Sequence, residues 1–209
     1  MKVAVIPVTT FQQNCSLVWC PETKKGALID PGGDLDKLQK AVEDKGVTIE
    51  KVLLTHAHID HAGAAADASS LFNVPIIGPH KGEVMLIDMM DMQSQMSGIP
   101  GKKFTPDQWL KEGDTVSVGN LLFEVLFCPG HTPGHLVFYA RKNNIAFVGD
   151  VLFKGSIGRT DLPGGDTKTL LNSIKTKLFP LSDNTVIVSG HGPNTTIGQE
   201  KQHNPFIKA

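Results

Sequence analysis

Three imidazoles and a carboxylate stand together in His56-Ala57-His58-Ile59-Asp60-His61, directly behind the apolar run Val52-Leu53-Leu54. Few features restrict a fold as sharply. A strand that ends in such a cluster must deliver it to a rim where other donors can complete it. Neutral imidazole and ionised carboxylate are the ligands that borderline divalent cations such as zinc favour. Side chains alternate along an extended chain, so His56 and His58 face the same way and can chelate one ion. Asp60 and His61 follow once the chain has turned and can reach a second. A polar loop with solvated histidines is the plainer alternative. It accounts poorly for three of the eight histidines falling together.

The fold must therefore gather further donors around that strand end. Periodicity predicts strands over 3–8, 17–19, 26–30, 51–54 and 74–77, with polar Gln12-Gln13-Asn14 between the first two. Hairpins are predicted over 115–127, turning at Gly119-Asn120, and over 136–148, turning at Asn143-Asn144. A last strand covers 185–188. Helical spacing marks 35–45, with Asp34 as N-cap and Gly46 as C-cap, then 62–72 and 167–178. Residues 82–96 carry Met85, Met89, Met90, Met92 and Met96. They read as a helix packed on the core, with an apolar substrate wall as the sharper alternative. So many hairpin-joined strands argue for an α/β (α+β) chain of packed mixed sheets with helices outside, rather than a doubly wound parallel sheet.

Three further strand ends carry donors beside glycine, where the backbone can bend closely around an ion. His131 lies in Cys128-Pro129-Gly130-His131-Thr132-Pro133-Gly134-His135. Asp150 follows its strand through Gly149, and His191 follows Ser189-Gly190. His131 and His135 compete for one role, and the residues alone leave that open. His80 and His203 lack such a setting and read as surface or structural.

Composition narrows the partners. Twenty basic against 21 acidic residues, a net charge of −1, give no reason to expect nucleic acid or an anionic membrane. The N-terminal apolar run reaches Pro7 too soon for an export signal, and no stretch of about 18 apolar residues could span a bilayer. Cys15 and Cys20 lie five apart on what reads as one strand, facing opposite sides, and Cys128 is distant. Free thiols in a reducing cytoplasm are expected. The 209 residues are enough for one sizeable core, read as a single domain over 1–209.

The donor set resembles the metallo-β-lactamase superfamily, whose His-x-His-x-Asp-His motif stands here as His56 to His61. His131, Asp150 and His191 match the later ligands in order and context. The resemblance covers almost the whole chain and is nearest to glyoxalase II, the hydroxyacylglutathione hydrolase, in a short single-domain bacterial form. It implies the metallo-β-lactamase fold: an αββα sandwich of two mixed β-sheets flanked by helices, with metals at one rim. It also implies that His56, His58 and His131 bind one metal, that Asp60, His61 and His191 bind the second, and that Asp150 bridges. On that basis His131 is preferred to His135, which becomes supporting. Two divalent ions are expected, zinc first, with iron or manganese as alternatives. Arg159 falls where the family places a basic residue on the glutathione carboxylate, a pairing that suits a guanidinium. Family tyrosines that contact glutathione are replaced by Asp161 and Pro193. Only 197–209, with Lys201 and Lys208, follow the last ligands, too few for the separate C-terminal helical domain of longer relatives.

The resemblance thus implies metal-dependent hydrolysis of a thioester such as S-lactoylglutathione to D-lactate and glutathione, the type II glyoxalase step of methylglyoxal detoxification. The nucleophile would be a metal-bound hydroxide, with Asp60 orienting the attacking water. A thiolate leaves without strong acid assistance, which suits a motif with no spare acid. Two alternatives share the fold: an iron-dependent glutathione persulfide dioxygenase, and a lactonase or other ester hydrolase. A small-molecule partner and a monomer or small homo-oligomer are expected.

Overall fold

The computed structural model describes residues 1–207. The first half of the chain builds one mixed sheet. Its strands are Lys2–Val8 (β1), Gln13–Trp19 (β2), Lys25–Ile29 (β3), Thr48–Leu53 (β4) and Ile76–Ile77 (β5), in that spatial order. β1, β2 and β3 pair antiparallel, whereas β3–β4 and β4–β5 pair parallel. The second sheet starts with Thr115–Val118 (β6), Leu121–Phe127 (β7), Leu136–Ala140 (β8) and Ile145–Gly149 (β9). A two-stranded ribbon of Leu152–Phe153 (β10) and Ser156–Ile157 (β11) follows, and then Val186–Ser189 (β12) and Thr195–Thr196 (β13). The second sheet runs β13-β12-β9-β8-β7-β6, with β9–β12 its parallel pair.

Alternation along the strands sets the layers. Leu17, Leu28 and Val52 point outwards, onto Leu38 and Val42 of the helix Leu35–Lys45 (α1) and onto Ala65 and Ala68. Val18, Ala27, Ile29 and Leu53 point the other way, onto Val118, Phe123, Phe138 and Phe147 of the second sheet. The outer face of that sheet, including Val137, Val148 and Ile187, packs on Leu170, Ile174 and Ile197. Three apolar interfaces separate four layers, which is the expected αββα sandwich. Both hairpins form where expected. Cys15 and Cys20 do face opposite sides, one in each of two core clusters. Among the described residues no helix is long and apolar enough to cross a membrane.

Several local expectations are corrected. Gln13 and Asn14 belong to β2 rather than to a polar turn. Asp34 does stand at the N-cap of α1, but its side chain makes no cap hydrogen bond. Its φ of 50° is left-handed, and its carboxylate accepts from Thr9 N at 3.1 Å instead. A capping side chain usually reaches a helix's first amides from extended backbone. Gly46 (φ 58°) does close α1. The helix expected over 62–72 is two, Ile59–Ala62 (α2) and Ala65–Phe72 (α3). Between them Gly63 packs against the Gly32 and Pro100 carbonyl oxygens, which a Cβ would meet at 2.7 and 2.9 Å. The methionine-rich stretch forms Val84–Asp88 (α4) and Met90–Ser97 (α5). Met90 is buried, but Met85, Met92 and Met96 are exposed, so core packing does not explain the group. The helix expected over 167–178 runs as Thr167–Ser173 (α6) and then widens into a π-helical turn, Ile174–Leu178. Ile197–His203 (α7) completes the second outer layer, and Lys208 lies outside the described residues.

Candidate metal centre

Four strand ends converge at one rim. The loop after β4 carries His56 and His58 and runs straight into α2, which carries Asp60 and His61. His131 lies beyond β7, Asp150 directly after β9, and His191 beyond β12. The sheets are joined there: Gln13 bridges to His191, and Asn14 N donates to Gly190 O at 2.7 Å.

The seven residues fall into two groups with one carboxylate between. His56, His58 and His131 bring one nitrogen each into a common space, and Asp60, His61 and His191 do the same with an oxygen and two nitrogens. His58 Nδ1 lies 2.9 Å from His131 Nε2, and His191 Nε2 lies 3.1 Å from Asp60 Oδ2. Asp150 reaches both groups, with Oδ1 3.2 Å from His61 Nε2 and Oδ2 3.6 Å from His131 Nε2. His135 stays outside. Its ring stacks on His56 at 4.5 Å, and its Nε2 accepts from Asp150 N at 3.1 Å. It packs on the His56 ring and holds the backbone at Asp150 rather than joining either group.

Partners behind the rings decide which nitrogens face inward. His61 Nδ1 donates to Asp30 Oδ2 at 3.0 Å, and His131 Nδ1 donates to Arg159 O at 2.7 Å. His56 Nδ1 donates to Thr55 Oγ1 at 3.0 Å, and that hydroxyl donates on to Asp30 Oδ2 at 2.6 Å. Asp30 Oδ1 also accepts from Thr55 N at 2.8 Å. One buried carboxylate thus fixes a ring in each group. Such outer partners fix the tautomer and raise ligand basicity.

Inward atoms are then left without hydrogen bonds. His56 Nε2 is buried and forms no hydrogen bond, and the buried His61 Nε2 and Asp150 Oδ1 have only each other, as an ion-pair contact at 3.2 Å without good hydrogen-bond geometry. Native interiors seldom tolerate orphaned polar atoms, and these, one in each group and one on the carboxylate between, fit divalent cations. Protonation is consistent with that fit. Burial holds His56 well below the usual histidine value and takes His58 down to about 3. His131 is lowered, also chiefly by burial. Burial thus favours the neutral form of all three rings. Burial pushes Asp150 up, but the charges of His61, His131 and His191 outweigh it and hold the carboxyl far below the usual range. For His61 burial works downwards, and Asp150 and Asp60 override it, so the ring is raised well above normal. His191 is raised in the same manner.

Three residues of this centre escaped the sequence. Asp30 read as the end of a strand before the Pro31-Gly32-Gly33 turn. Its φ of 55° on a residue other than glycine is the one local oddity. Glu83 and Gln93 lie in the methionine-rich stretch. Glu83 is buried against Ala57 N and Gly134 N. Gln93 accepts from Ile59 N at 3.0 Å and donates to Ala57 O at 3.1 Å. That stretch holds the histidine loop in place, and no methionine lines the cavity above it. The cavity, about 460 Å³, has Phe11, Ile59, Phe153, Ile157 and Leu162 as apolar walls, and Gln93 and Arg159 also line it. The Arg159 guanidinium is already engaged, with Nε and Nη2 each 2.7 Å from an Asp161 carboxylate oxygen.

Comparison with known proteins agrees with this geometry. The family model of the metallo-beta-lactamase superfamily matches residues 8–191. Hydroxyacylglutathione hydrolase GloC of Haemophilus influenzae is 47% identical over 211 residues, spanning 100% of this chain and 99% of its own. The crystal structure of BLEG-1 B3 metallo-beta-lactamase superposes with a TM-score of 0.92 at 38% identity, covering 100% of both chains. TTHA1623 in a di-iron-bound form superposes with a TM-score of 0.89 at 38% identity, covering 98% of this chain and 100% of that one. The chain therefore belongs to the metallo-beta-lactamase superfamily, among its glyoxalase II-like metallo-hydrolases.

Proposed function

We propose that the chain hydrolyses a thioester of the S-lactoylglutathione kind, with two divalent ions held at the rim. His56, His58 and His131 hold the first ion, Asp60, His61 and His191 the second, and Asp150 serves both. The observation that carries this is the gathering of six donors into two groups at one rim, with the Asp150 carboxylate in reach of both and the buried Nε2 atoms of His56 and His61 left without a hydrogen bond. Bound ions of this type lower the pKa of a coordinated water to about 7 and polarise a carbonyl oxygen. The protein does the rest. Asp30 and the Arg159 carbonyl hold the rings of His61 and His131 so that their Nε2 atoms face inward. The Asp60 carboxylate lies on the cavity floor, where it can accept a hydrogen bond from attacking water and orient it. Phe11, Phe153, Ile157 and Leu162 keep bulk water from the acyl group. The thiolate departs without an acid, since its free thiol has a pKa of about 8.5. The name of the Haemophilus influenzae relative supports a glutathione carrier. Three buried free thiols support a reducing compartment, the cytoplasm. The test is metal content per chain alongside turnover of S-lactoylglutathione, a lactone and glutathione persulfide. Thioester hydrolysis that tracks bound metal is expected. Oxygen uptake with the persulfide, or lactone cleavage without thioester cleavage, would assign one of the two alternatives.

The two groups of donors should differ in their response to pH. Burial favours the neutral rings of the first, so its affinity should change little as pH rises above the ordinary histidine range. In the metal-free protein His61 keeps its proton above the usual histidine value, and an ion must displace it. Affinity of the second group therefore rises with pH, by about tenfold per unit for each proton released, until the raised His61 value is passed. Metal titrations at several pH values, with released protons counted, read both slopes.

Arg159 would hold a substrate carboxylate only after Asp161 gives way. Exchange of one exposed partner for another changes affinity modestly. Asp161→Asn should lower KM for S-lactoylglutathione by about two- to fivefold, and Arg159→Ala should raise it by a similar factor. KM for an uncharged thioester should not move in either variant.

A further inference from the structure

Glu83 has no part in the chemistry just described, yet it is fully buried and tied to both loops that supply the first group of donors. Its Oε2 accepts from Ala57 N at 2.9 Å, between His56 and His58. Its Oε1 accepts from Gly134 N at 2.6 Å, in the loop that carries His131. The backbones are pressed together there. A Cβ on Gly134 would lie 2.7 Å from Glu83 N, and one on Gly82 would lie 2.9 Å from Gly134 Cα. The second group is held by other means. Asp30 fixes His61, and the loop of His191 is fastened by Asn14 Nδ2, which donates to Ser189 O at 3.0 Å and Gly192 O at 2.8 Å. Gln93 also grips the histidine loop, at Ala57 O and Ile59 N, but makes no hydrogen bond to the His131 loop. Glu83 is thus the side chain whose two oxygens join the loop of His56 and His58 to the loop of His131.

Resting on the two-ion assignment above, we propose that Glu83 is a positioning residue that sets metal affinity at His56, His58 and His131 and leaves Asp60, His61 and His191 unaffected. The carboxylate is suited to this because both of its contacts are N–H donors, which only an acceptor at each end can satisfy. Glu83→Gln keeps the shape but turns an NH₂ onto one of those two amides, donor against donor, so one link is lost while the packing stays. Glu83→Asp keeps the charge and is one methylene too short to span both.

The experiment measures zinc stoichiometry and affinity by chelator competition on the full chain, with circular dichroism of the metal-free forms as a folding control. Wild type should hold two ions per chain. Glu83→Gln should hold one tightly and bind the other about ten- to a hundredfold more weakly, the usual effect of a lost outer partner. His191→Ala added to Glu83→Gln should remove the ion that stays, whereas His56→Ala added to it should not. Equal loss of both ions, loss from the second group first, or two ions of unchanged affinity would each overturn the proposal. A wild-type chain that takes up no divalent metal overturns the two-ion assignment as well, so the two failures are distinct. One measurement needs no variant. In the metal-free wild type the amides of Ala57 and Gly134 should exchange slowly with solvent, because Glu83 holds the loops before metal arrives. Exchange at open-loop rates at those two amides also overturns it.

Discussion

Asp150→Ala should strip metal from both groups of donors and cut thioester hydrolysis by well over a hundredfold. Among the described residues, Asp150 is the one whose carboxylate lies within 4 Å of histidine nitrogens from both groups. Even outer-shell partners of a metal site are worth about 10- to 100-fold, and a direct ligand shared by two ions exceeds that. Alanine also leaves the raised His61 with fewer counter-charges, since Asp150 is the largest influence holding its proton against burial. The expected readout has two parts. Metal at a hundredfold excess over Kd stabilises a binding protein by about 2.7 kcal/mol, so zinc should raise the melting temperature of wild type clearly and that of Asp150→Ala hardly at all. Metal content should fall with activity. Full turnover by a metal-depleted Asp150→Ala would sink the assignment of the centre.

Gly32→Ala should be nearly as damaging, for a steric reason. A Cβ at Gly32 would fall 1.4 Å from Asp60 O and 2.3 Å from the carbonyl carbon. That neighbour is backbone, at the start of the short helix that carries Asp60 and His61, and it cannot rotate aside. Either α2 or the 31–33 turn must move by more than an ångström. We expect destabilisation of about 3 kcal/mol, the upper end for overpacked sites, and a fall in melting temperature of about 10 °C. Metal should leave the Asp60, His61 and His191 group before the other. Gly33→Ala is the control. Its Cβ would meet only the Thr9 side chain, at 2.7 Å, which can turn away, so a loss of about 1 kcal/mol is expected. Equal effects from the two substitutions would remove close approach to Asp60 as the cause.

The donors were legible in the sequence because each stands at the end of an apolar run, a local pattern. The hairpins were legible because their turn residues are local too. What escaped was held by distance. Asp30 reaches Thr55 across 25 positions and His61 across 31, and Glu83 reaches Gly134 across 51. No period in the chain marks such pairs. The methionines misled because five similar side chains drew attention from Glu83 and Gln93 beside them. Asp34 misled because residue type suggests a cap, whereas its backbone angle decides whether the carboxylate can reach the helix. Arg159 was found as a residue but not as a pair, since its partner Asp161 had registered only as a departure from a family pattern.

The joining of the two sheets at the rim has a consequence for how the protein is made. Asn14 Nδ2 meets Gly192 O across 178 positions of sequence. On the ribosome, His56 to His61 emerge long before His191. At synthesis rates of about 5–20 residues per second they wait on the order of ten seconds for it. During that interval the first sheet can form, but its seam with β12 cannot. The chain's richest set of donors then waits, with only part of its surroundings in place, until His191 and the seam beside it arrive.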